Sequence, residues 1–130
     1  MRALIAAALL LFVRTSGAGA TDVMITGPLF GGSGQSVAVC YVINEGTSSV
    51  VLSAVDIYYT DAQNSTFVLV PTISDTCGTT LDVGKTCRTV SNIGTDHYYL
   101  CRTLVSSKAR IRGTFELRAG NTPVVSQTLR

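Results

Sequence analysis

The sequence predicts an all-β domain, an immunoglobulin-like antiparallel sandwich of seven or eight strands stapled by disulfides. Short runs rich in Val, Ile, Tyr and Thr recur every ten to fifteen residues between Gly, Asn, Asp and Ser clusters. Within Ala109–Arg118 the pattern alternates: Ala109, Ile111, Gly113, Phe115 and Leu117 share one face, and Lys108, Arg110, Arg112, Thr114, Glu116 and Arg118 the other. A period of two with one apolar side is that of a half-buried antiparallel strand. Four cysteines in a short chain that begins with an export signal read as two disulfides.

The export signal lies at the start. Met1-Arg2 is a basic beginning, and Ala3 to Val13 is an uninterrupted apolar run. That run is too short for the roughly 20 residues of a membrane-spanning helix and matches a signal-peptide core. Ala18-Gly19-Ala20 has the small-x-small pattern of a cleavage site, so residues 1–20 are expected to be removed. The remaining 21–130, about 110 residues, form one domain with no repeat or linker. No later stretch is long and apolar enough to span a bilayer. A secreted or periplasmic location is expected.

The strands follow in order. Asp22–Thr26 is the first and ends at Gly27-Pro28; Gly31-Gly32-Ser33-Gly34 is a connection. Ser36–Asn44 is the second, and Glu45-Gly46-Thr47 turns into a long third, Ser49–Thr60. In that third run Val51, Val55, Ile57 and Tyr59 are expected inside, with Val50, Leu52, Ala54, Asp56 and Tyr58 outside. Thr66–Val70 is the fourth, and a polar loop covers Ser74 to Lys85. Cys87–Ser91, His97–Leu104, Ala109–Arg118 and Val124–Leu129 complete the set. In the seventh run Ala109, Ile111, Phe115 and Leu117 are expected buried, and Arg110, Arg112 and Glu116 exposed.

Four cysteines permit three pairings. Cys77 and Cys87 bracket a short turn-rich loop, and Cys40 and Cys101 lie mid-strand in the second and sixth runs, which favours Cys77–Cys87 and Cys40–Cys101. Tyr99, two residues before Cys101, stands where immunoglobulin-type domains carry their tyrosine corner, although the chain has no Trp to pack on the bridge. No two cysteines have zinc-site spacing, so no metal is expected.

The motifs Cys40-x-Val42-x-Asn44, Leu81-x-x-Gly84-x-x-Cys87 after Cys77, Tyr99-x-Cys101-Arg102 and Ala109-x-Ile111-Arg112-Gly113 resemble those of small exported bacterial proteins with sandwich-like strand patterns and no assigned function. The resemblance implies an exported sandwich and a bacterial source, and it carries no catalytic or binding residues across.

Charge is divided along the chain. From Thr21 to Asp82 there are acids but no Lys or Arg; from Val83 onward bases outnumber acids. After loss of Arg2 and Arg14 acids and bases balance, which argues against a nucleic-acid partner. Pairing between strands of the two halves is one outcome of this division. The other is a recognition surface: Lys108, Arg110 and Arg112 on one strand face, joined by Arg102 if the sixth and seventh runs pair as a hairpin. Such a row would suit an anionic polymer or acidic protein.

Catalytic constellations are missing. Asp96 and His97 are adjacent and point to opposite faces of a strand, and Gly31–Gly34 lacks the residues of a nucleophile elbow or a phosphate loop. No catalytic residue and no cofactor are expected. Asn64-Ser65-Thr66 is a glycosylation acceptor only in a host that glycosylates there. The expected function is a non-catalytic binding or structural module. Alternatives are a fimbria-like assembly subunit joined by strand exchange and, more remotely, a hydrolytic enzyme.

Overall fold

The computed structural model describes residues 21–60 and 66–130. The expected signal peptide, residues 1–20, and Asn64 of the glycosylation triplet lie outside the described residues. The described chain folds as two antiparallel sheets without a helix. Its strands are β1 Asp22–Ile25, β2 Leu29–Gly31, β3 Val37–Asn44, β4 Val50–Thr60, β5 Phe67–Leu69, β6 Thr72–Asp75, β7 Thr80–Leu81, β8 Thr86–Asn92, β9 His97–Val105, β10 Ile111–Ala119 and β11 Thr122–Thr128.

The larger sheet has the order β1-β9-β4-β5, with β2 continuing beside β9 and β7 beside β4; the smaller is β11-β10-β3-β8-β6. Three short strands, β2, β6 and β7, lie within stretches whose turn residues read as connections. Leu81 shows why one of them forms: it is buried, and β7 pairs Leu81 and Thr80 with Val50 and Val51. One apolar side chain anchors an otherwise polar loop.

The core lies between the sheets. Ala38, Cys40 and Val42 of β3 and Ile111, Phe115 and Leu117 of β10 meet Ile57 of β4 and Tyr99, Cys101 and Val105 of β9. Each large apolar side chain so buried contributes about 1.5–3 kcal/mol. Cys40 of the smaller sheet is bridged to Cys101 of the larger, their Cα atoms 6.0 Å apart, and Cys77 to Cys87, 4.6 Å apart. These are the pairings that strand and loop position favoured. The Tyr99 hydroxyl donates to the Gly94 carbonyl (3.1 Å) and accepts from the Gly94 N–H (2.9 Å), forming the expected corner. Burial, the largest cause, raises the Tyr99 phenol above the usual tyrosine value, with a smaller push from Tyr59; the hydrogen bond to Gly94 acts the other way.

A further anchor is Asn44, which is fully buried. Its side-chain amide donates to the carbonyls of Ser48 (2.8 Å) and Leu81 (3.0 Å), and its oxygen accepts from Gly46 N–H (2.8 Å). One side chain thereby ties the β3–β4 turn to the loop carrying β7. Gly113 is required for a different reason. A Cβ there would lie 2.6 Å from the Tyr41 carbonyl oxygen and 2.7 Å from Leu129 Cδ1.

Three expectations need correction. In β4, Val51 is 53% exposed while Leu52 is 3% exposed, the reverse of the straight alternation. Opposite β9, Leu52 pairs Val105 and Ala54 pairs Leu104, so Ser53 is an extra residue. This β-bulge moves the inward face from the even positions Val50 and Leu52 to the odd positions Val55 and Ile57. Ala109 is exposed rather than buried, because the chain is still turning there: Ile111 N–H bonds the Lys108 carbonyl at 3.1 Å and β10 begins only at Ile111. Glu116 is half-buried rather than exposed, since its carboxylate holds Arg118 at 2.6 Å.

Candidate functional site

The expected cationic row does not assemble. Lys108 and Arg110 lie in the turn before β10, where Arg110 has φ 66°, and only Arg112 stands on the strand face. Arg112 faces Glu45 at 3.9 Å, both side chains being largely exposed. Arg102 belongs to β9, which pairs with β1, β2 and β4 and not with β10, so it sits on the opposite sheet. Arg118 engages Glu116 and donates to the Tyr41 hydroxyl at 2.9 Å. The division of charge is used for pairing between the chain's halves, at Asp56–Arg102 and Glu45–Arg112.

The large apolar surface is the outer face of the larger sheet. On β9 the odd residues Tyr99, Cys101, Thr103 and Val105 turn inward, which sends Tyr98, Leu100, Arg102 and Leu104 to the outer side, where Leu100 is covered by its neighbours and only 4% exposed. Register then builds the face row by row. Phe30, Tyr98, Thr60 and Phe67 stand abreast across four strands. The next row is Leu100, Tyr58 and Leu69, then Ile25, Arg102 and Asp56, then Val23, Leu104 and Ala54. Val23, Ile25, Phe30, Phe67, Leu69 and Tyr98 are each between 45% and 59% exposed. Contiguous apolar surface of this kind marks interaction sites in soluble domains.

Polar groups are placed at its centre. The Arg102 guanidinium lies 4.7 Å from the centroid of the Tyr58 ring, and Nη2 contacts the Tyr58 hydroxyl and Asp56 Oδ2, the latter at 3.5 Å. Tyr58 in turn donates to Asp56 at 3.3 Å. Arg102 Nε is buried without a hydrogen-bond partner. Beside this group Ile25, Tyr58, Phe67, Leu100 and Arg102 line a dimple of about 120 Å³, the size of one apolar side chain. Phe30 and Tyr98 pack ring to ring, centroids 5.2 Å apart.

Of the four expected binding residues only Arg102 lies here. The aromatic and aliphatic members were passed over although a signal existed. The runs His97–Leu104 and Thr66–Val70 carry large apolar residues on both faces. In a two-layer sandwich one face of each strand is outside, so such a strand must show apolar surface to solvent.

His97 packs on Tyr59 with ring centroids 4.9 Å apart, and its Nδ1 is buried without a partner. Asp96 is exposed at a turn position with φ 63°. Among the described residues no group of three or more His, Cys, Asp or Glu side chains is placed to hold a metal ion, and no helix is long and apolar enough to cross a membrane. Compared with protein-family models, curated proteins and solved structures, the chain gives no match.

Proposed function

We propose that this is an exported, non-catalytic binding module that recognises a protein partner through the outer face of its larger sheet. The observation that carries the reading is the concentration of exposed Phe, Tyr, Ile, Leu and Val on that one face around Arg102. Tyr, Phe and Arg are the residues enriched in protein interfaces, whereas Lys is depleted, and this face has no Lys. Export is supported by the signal-peptide pattern of residues 1–20 and by two disulfides, which persist in oxidising compartments. The test is photo-crosslinking in the producing cell, with a benzoylphenylalanine in place of Leu69 or, as the control on the other sheet, Thr114. A defined adduct from Leu69 alone, lost when Tyr98→Ser is added to a chain that still folds, supports the reading. Equal adducts from both faces, or none from either, refute it.

A second reading, a surface-assembly subunit joined by strand exchange, draws on β1 and β2. These N-terminal strands form one edge of the larger sheet beside β9, and β1 also bonds the chain's last residue through Ile25 and Arg130. Cysteines at Val23 and Leu104, which face one another in the register, separate the cases. A bridge within one chain excludes exchange, and a ladder of linked chains establishes it.

A further inference from the structure

We propose that the partner on this face is a second copy of the chain, packed face to face about a two-fold axis. The axis runs along the strands midway between β9 and β4. The proposal rests on the recognition surface assigned above and names its occupant.

The register supplies the reason. A two-fold interface brings a surface against itself, so it is favourable only if each group is met by a complementary one under the same operation. An axis between β9 and β4 exchanges these central strands and, in the first row, exchanges β2 with β5, leaving each cross-strand row opposite itself; Leu69 of β5 and Ile25 and Val23 of β1 have no counterpart in their rows and lie at the rim. In the first row Phe30 then meets Phe67 of the other copy, and Tyr98 meets Thr60. In the second Tyr58 lies over Leu100, which its own neighbours already cover, and in the third Arg102 meets Asp56. Apolar groups oppose apolar ones, and the one cation of these rows opposes the one anion. Among the described residues of these rows no like charges are brought together. The two copies' strands stay nearly aligned, as in the common packing of one sheet on another at about 10 Å.

Arg102 fits this role. Its contact with Asp56 in the same chain is long, at 3.5 Å. The side chain is 38% exposed, so the outer N–H groups of its guanidinium are open to a second carboxylate, while Nε is buried. The area sets the strength. Four strands about 4.8 Å apart and rows spanning about 20–24 Å give a face of about 450 Å² in projection. Such a face buries on the order of 600 Å² of accessible surface per copy, the lower end for specific interfaces, so the dimer should be weak and reversible, with Kd on the order of 10–100 µM.

Sedimentation velocity of the purified protein from about 10 µM to about 1 mM tests this, with circular dichroism to confirm that each variant folds. Wild type should pass from monomer to dimer. Phe67→Asp should weaken the dimer at least about 100-fold by burying a charge against Phe30. Arg102→Glu alone and Asp56→Arg alone each set like charges across the interface and should be monomeric. Mixed in equal amounts they should dimerise again, because each then meets the opposite charge. This rescue between chains separates the interface from the Arg102–Asp56 contact within one chain. A wild type that stays monomeric at 1 mM overturns the proposal, and so does a mixture that associates no better than its components. If the Leu69 crosslinker nonetheless captures a different protein, the recognition face stands and the second copy is the wrong occupant.

Discussion

Replacing Leu52 and Val51 separately by Ala tests the bulge in β4, on which the placement of every β4 side chain depends. Leu52 is 3% exposed and packs in the core cluster, whereas Val51 is 53% exposed. A buried Leu→Ala change loses the transfer free energy of the missing atoms and leaves a cavity, together about 2–5 kcal/mol. Taking about 3 kcal/mol, and about 4–8 °C per kcal/mol for a domain of this size, Leu52→Ala should lower Tm by roughly 12–24 °C. Val51→Ala, a change on the solvent side, should stay within about 0.5 kcal/mol. Val55→Ala serves as a control, because Val55 is buried with or without the bulge. Urea and thermal unfolding followed by circular dichroism, with the disulfides intact, give all three values. If Val51→Ala costs more than Leu52→Ala, β4 runs straight and the outer face described for it is wrong.

Asn44→Ala should cost about 2–4 kcal/mol in urea unfolding, since it removes three hydrogen bonds of a buried amide and frees both loops that Asn44 joins; a loss below 1 kcal/mol would contradict this. Arg110 holds a left-handed conformation that costs a non-Gly residue about 1–2 kcal/mol, so Arg110→Gly should leave Tm unchanged or raise it slightly, while Arg110→Val should lower it. Tyr99 ionises less readily when folded than when unfolded, because burial outweighs its bond to Gly94. The folded state therefore loses stability as pH rises above the unfolded value of about 10, and nothing is lost from this group below it. Unfolding free energies measured between pH 8 and about 11.5 should fall more steeply in wild type than in Tyr99→Phe, which is itself less stable at neutral pH. Parallel curves would refute the assignment.

Some of this architecture was determined by the sequence itself. Period-two alternation from Ile111 to Leu117 is a local property that places those side chains in the core wherever the strand packs. The disulfide partners were legible because Cys77 and Cys87 are close in the chain and Cys40 and Cys101 lie mid-strand, as a bridge across a sandwich requires. Two features were decided only in the folded chain. The extra residue at Ser53 is defined by what lies opposite it on β9, and the strand's own residues carry no mark of it. The recognition surface depends on which strands become neighbours. Arg102 and Arg112 are ten positions apart in the chain yet end on different sheets, while Phe30, Tyr98 and Phe67, far apart in sequence, come to stand in one row. Alternation says which residues of one strand share a face, but strand order comes from how the two sheets close on a common core, and that order gathers the apolar face around Arg102.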